Sequence, residues 1–123
     1  MTAFEVRLNG KSLCTAGIGR NGVLTAIATW VRRAAPTTEA TRPRKRRKEV
    51  LDLRVGGLAH DRDGANVHVE WAVRSLRHGD EIRIRVVQAE RVSRPRRRKR
   101  EDPKLVEKQK RRYYEHLKRQ YAD

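Results

Sequence analysis

Apolar residues recur at every second position in four stretches of this chain. Phe4, Val6 and Leu8 alternate with Glu5 and Arg7; Leu51, Leu53 and Val55 with Asp52 and Arg54; Val67, Val69 and Trp71 with His68 and Glu70; Ile82, Ile84 and Val86 with Arg83 and Arg85. A period of two sends successive side chains to opposite faces, so each stretch predicts a half-buried strand. Asn9-Gly10 after the first run is a hairpin signal, because both turn residues need positive φ. It predicts a return strand from Lys11 to Ala16. Gly56-Gly57 closes the second run, and His60-Asp-Arg-Asp-Gly64 forms a polar turn. His78-Gly79-Asp80 supplies the tight turn before the last run, with glycine taking positive φ and aspartate accepting locally.

Between Gly22 and Pro36 the period changes. Leu24, Ile27, Val31 and Ala34 fall on one helical face with Val23 and Trp30 beside it, and Asn21 is a suitable cap. This predicts a helix over residues 23–35, stopped by Pro36. Residues 36–49 lack apolar periodicity, and six of the seven residues from Arg42 to Lys48 are basic. Such a run repels itself, and a disordered insert is expected. Residues 91–102 read as a second basic linker. Asp102-Pro103 then starts a helix over 103–121, on which Val106, Tyr113, Leu117 and Tyr121 make a narrow apolar stripe. Alone in water that helix is marginal and needs a surface to lie on. The expected fold class is α+β: a mixed sheet of four to five strands packed on one helix over residues 1–90, then a basic linker and helix over 91–123.

Composition changes the picture by locating the charge. The chain has 123 residues, 31 Lys/Arg against 15 Asp/Glu and a net charge of +16. Residues 42–48 and 91–123 hold 20 of the basic groups and only 5 of the acidic ones. The patterned part is therefore nearly neutral and the charge is appended to it. The single cysteine, Cys14, excludes an internal disulfide and fits a reducing compartment. The opening Met-Thr-Ala-Phe-Glu-Val is not a signal sequence, and no apolar stretch is long enough to span a bilayer. A cytoplasmic protein without membrane contact is expected.

The strand–strand–helix–strand order, with Trp71 and the segment Leu76-Arg-His-Gly-Asp-Glu-Ile-Arg-Ile, resembles the β-grasp or ubiquitin-like fold. The closest local likeness is to bacterial sulfur-carrier proteins and TGS domains, over most of residues 3–88. The resemblance implies a hairpin followed by a packed helix, and a habit of binding proteins or RNA. It does not bring the carrier chemistry, which needs a C-terminal Gly-Gly; this strand continues as Val86-Val87-Gln-Ala-Glu. A carrier released by cleavage behind the last strand is the remaining route to that chemistry.

The basic runs are the candidate chemistry. Arg42, Arg44, Lys45, Arg46, Arg47 and Lys48, then Arg94, Arg96, Arg97, Arg98, Lys99 and Arg100, with Arg111 and Arg112 on the last helix, suit phosphate neutralisation and counterion release. The expected function is a non-enzymatic module that binds nucleic acid, RNA in preference to DNA. The alternative is a ubiquitin-like protein–protein adaptor using a sheet face or the stripe Val106, Tyr113, Leu117 and Tyr121. Cys14, His60, His68, His78 and His116 match no zinc spacing, and His60-Asp61 is a weak general-base pair. Gly17-x-Gly19-x-x-Gly22 lacks the βαβ setting of a dinucleotide site. No metal, cofactor or small-molecule substrate is expected.

Overall fold

The Asn9-Gly10 turn joins strand β1 (Thr2–Leu8) to β2 (Lys11–Gly17), which pair antiparallel with Val6 opposite Cys14 and Phe4 opposite Ala16. Asn9 and Gly10 have φ of 52° and 80°, as this tight turn requires. The computed structural model describes residues 1–33 and 48–121. After β2 come β3 (Gly22–Arg33), β4 (Lys48–His60), β5 (Asn66–Ser75), β6 (Ile82–Gln88), β7 (Arg97–Arg100) and the helix α1 (Pro103–Tyr121). They form two antiparallel sheets, ordered β2-β1-β6 and β3-β4-β5-β7.

Residues 23–33 are thus a strand, not the expected helix. Val23, Leu24, Thr25, Ala26, Ile27, Ala28, Thr29, Trp30 and Val31 are rich in β-branched side chains, which favour the pleated backbone. Twelve consecutive pairs with β4, from Gly22 opposite Ala59 to Arg33 opposite Lys48, satisfy its backbone on one side. The expected mixed sheet packed on one helix is replaced by two antiparallel sheets, and the only helix among the described residues is α1. The α+β class stands. The boundaries of the basic insert also shift, because β4 begins at Lys48; Arg42, Arg44, Lys45, Arg46 and Arg47 lie outside the described residues.

The sheets meet through one apolar cluster. Val6, Cys14 and Ala16 come from the three-stranded sheet; Leu53, Val55, Val67, Val69, Trp71 and Ala72 come from the four-stranded one. Gly56-Gly57 does not close β4 but runs through its middle. An added Cβ would lie 2.6 Å from the Val69 carbonyl at Gly56, and would collide with the Val23 carbonyl at Gly57. Only glycine lets β3 and β5 approach that closely. The ladder shifts register between Val55 and Gly56, where Trp71 is the extra residue of β5, a bulge that turns the indole into the core.

The last turn is as the residues predict. Gly79 has φ of 93°, and the Asp80 carboxylate accepts from the Arg77 N–H (2.7 Å) and the Asn9 amide (2.9 Å). Asn9 in turn accepts from the Glu81 N–H at 2.9 Å, so the β1–β2 turn and the β5–β6 turn are locked together. These bonds hold the Asp80 carboxyl below the usual range, the Asn9 amide contributing most.

Candidate nucleic-acid interface

Ser93 stitches the two sheets and launches the basic segment. Its N–H donates to the Thr15 carbonyl (2.8 Å), its hydroxyl accepts from the Thr15 N–H (2.9 Å), and its carbonyl accepts from the Trp71 indole (2.8 Å). The Arg96 N–H then donates to the Glu70 carbonyl, and the Glu101 N–H to the Asn66 carbonyl. Between these anchors Arg97–Arg100 form β7 on the edge of the four-stranded sheet, not the solvated linker expected of a charge run. The backbone bonds to β5 and carboxylates at both ends offset the repulsion.

Those carboxylates hold the ends of the strand and leave its middle open. Arg96 meets Glu70 at 3.6 Å, and Arg100 spans Asp61 and Asp63. Asp61 also accepts from the Asp63 and Ala65 N–H groups, which fixes the loop that receives Arg100. The Arg100 guanidinium, followed by those amides, holds the Asp61 carboxyl below its ordinary value, and Asp61 holds the Arg100 charge more firmly. Glu101 is held down in the same way, first by His68 and then by Asn66. Among the described residues no carboxylate lies within ion-pair distance of Arg97, Arg98 or Lys99, and all three are exposed.

Pairing in β7 separates two uses of its side chains, since directly opposed residues share a face. Arg97 and Lys99 lie opposite Glu70 and His68, on the outer face. Arg98 and Arg100 lie opposite Val69 and Val67, on the core-facing side. Arg98 there rims a cleft of about 310 Å³ whose walls include Val67, Val69, Trp71, Val92, Arg20 and His60. Nothing in the sequence signals this cleft: Arg20 and Arg98 are 78 residues apart.

Beyond Glu101, α1 begins where Asp102 caps it, its carboxylate accepting from the Lys104 N–H at 3.0 Å. The helix occupies the expected residues and buries none of them. Lys104, Lys108, Arg111 and Arg112 occupy one side, with Glu107 paired to Arg111 at 3.4 Å. The stripe of Val106, Tyr113, Leu117 and Tyr121 is offset from them by two residues, roughly 200° around the axis. Tyr113 and Tyr121 are exposed, and Val106 and Leu117 half-exposed.

The structure thus gathers Arg96, Arg97, Arg98, Lys99 and Arg100 on one edge, places Arg94 just before them, and puts Arg111 and Arg112 on the following helix. Lys48 lies instead at the start of β4, opposite Arg33. Sequence reasoning missed a second basic patch on the outer face of the three-stranded sheet. There Arg7 lies opposite Arg83 and Glu5 opposite Arg85, with Arg7 held to Glu5 at 3.5 Å. Cys14 is buried in the core, which pushes its thiol up. Among the described residues no three His, Cys, Asp or Glu side chains cluster as a metal would need. Among the described residues no helix is long and apolar enough to cross a membrane.

No protein-family model, curated protein or solved structure matches this chain.

Proposed function

We propose that the protein is a non-enzymatic module that binds nucleic acid through the basic edge strand β7 and the helix that follows it. The observation that carries this reading is the open trio Arg97, Arg98 and Lys99, held on a paired sheet edge whose flanking arginines are tied to carboxylates. A neighbouring ladder fixes the spacing of these cations, which suits repeated phosphates better than a free tail does. The exposed Tyr113, Tyr114 and Tyr121 among the cations of α1 suit stacking on unpaired bases, which favours single strands and RNA over duplex DNA. The competing reading is a protein adaptor. It draws on the unpartnered Val106, Tyr113, Leu117 and Tyr121 stripe, which suits a groove in a partner.

Fluorescence anisotropy with single-stranded RNA, the matching DNA and a duplex, over a salt series, tests the proposal. Affinity for RNA should fall steeply as salt rises. The triple variant Arg97→Glu, Arg98→Glu, Lys99→Glu should bind at least about tenfold more weakly at moderate salt. Salt-insensitive binding, no binding, or an unaffected variant overturns the reading. Recovery of one stoichiometric protein on α1 after nuclease treatment would put the adaptor in its place.

A further inference from the structure

The two edges of the four-stranded sheet are built in opposite ways. β7 is four residues long and every one is basic, the features that keep an edge from pairing with another chain. β3, the other edge, is twelve residues long and has no charged residue from Gly22 to Val31. Val23, Ile27 and Trp30 on it are 58%, 50% and 57% exposed. Among the described residues β3 pairs only with β4, so its outer row of N–H and C=O groups is open. A long, flat, apolar edge is a template for another strand.

The order of residues on that edge names the strand it would accept. Reading outward from Ile27 in both directions gives Ala26 and Ala28, Thr25 and Thr29, Leu24 and Trp30, Val23 and Val31. The stretch is close to palindromic about Ile27. An antiparallel pair of two copies related by a two-fold axis at Ile27 sets alanine against alanine, threonine against threonine and valine against valine. Leucine meets tryptophan. Each face of the joined sheet then continues without a mismatch, because directly opposed residues project to the same side. The charged end agrees. Arg32 of one copy lies opposite Gly22 of the other, and the two Arg32 side chains stand ten residues apart, roughly 33 Å. Parallel in-register pairing would instead stack arginine on arginine.

We infer that β3 is a self-recognition edge: two copies of this chain pair β3 to β3 about a two-fold axis at Ile27, joining their four-stranded sheets into one of eight strands. The interface is isologous, as a closed dimer requires.

Sedimentation velocity on nuclease-treated protein at high salt, over a roughly hundredfold concentration range, tests it. The wild-type chain should sediment as a dimer, and Ile27→Lys as a monomer with an unchanged circular dichroism spectrum. Because a dimer lost on substitution alone says nothing of register, single cysteines supply the second arm. Ile27→Cys should cross-link to itself with a short thiol-specific reagent. Val23→Cys should not, since its own mate lies eight residues away, roughly 26 Å. Cys14 is buried, and wild-type protein serves as the control. A monomer at the highest concentration, a dimer that survives Ile27→Lys or dissolves when salt is raised, or Val23→Cys linking as readily as Ile27→Cys overturns the inference.

Discussion

Ser93 shows how much of this molecule hangs on single polar groups that no pattern announces. Its hydroxyl and backbone bind β2 and the β5 indole together, yet in the sequence it merely precedes an arginine run. Ser93→Ala leaves the half-buried Thr15 N–H without its acceptor, and global stability should fall by about 1–3 kcal/mol in urea unfolding. A loss under about half a kcal/mol would mean that water replaces the hydroxyl. Where the chemistry is local, single residues were legible. Asn9-Gly10 and His78-Gly79-Asp80 each carry the turn their composition demands, because positive φ and a short acceptor are needed within a few residues. What the sequence withheld is that the two turns face one another, with Asn9 reaching Asp80 and Glu81 across 71 and 72 residues.

Two strands escaped the pattern, for different reasons. β3 is apolar on both faces, with Leu24 and Ala26 turned to the core and Val23, Ile27 and Val31 outward. A run with apolar residues on both faces and no charge from Gly22 to Val31 fits a period of two and one of 3.6 alike. Its type is decided by β4, which no local signal reports. β7 hid behind its charge, since a run of arginines predicts solvation unless carboxylates are in place to receive its ends. The stability of β7 should therefore follow those carboxylates. Asp61 and Glu101 are both held below their ordinary values, so protonation must work against their partners. Their contribution is complete above the usual carboxylate range and is lost as pH falls through their lowered values. Protection of the Arg97–Arg100 amides, measured against the intrinsic slowing of exchange in acid, should fall on acidification before that of β4 does. Simultaneous opening of the two strands would show that the carboxylates do not hold β7. The helix α1, by contrast, was read to the residue because its start signal, Asp102-Pro103, is local. Having no buried side chain, it should answer to its cap alone. Asp102→Ala should weaken the helix by about 0.5–2 kcal/mol, visible as lost helical circular dichroism and leaving the unfolding midpoint of the sheets in place.

At the scale of the whole molecule, the basic edge and the apolar edge lie at opposite ends of one sheet, β7 first and β3 last. If two copies join at β3, the strand order runs from β7 through eight strands to the partner's β7. Seven inter-strand spacings then separate the two cationic edges, roughly 34 Å before twist is allowed for. A single strand of nucleic acid long enough to reach both edges would be held twice. The second contact is then intramolecular, with an effective concentration set by the span. A strand too short to reach gains nothing. Ile27→Lys, which adds a cation far from β7, separates these cases. It should leave the affinity for an oligonucleotide of about six residues unchanged and weaken a strand of about thirty by roughly tenfold or more. Anisotropy at one salt concentration reads both. Equal affinity of monomer and dimer for the long strand would mean that each basic edge works alone, and would leave the pairing of β3 to be explained by stability and not by binding.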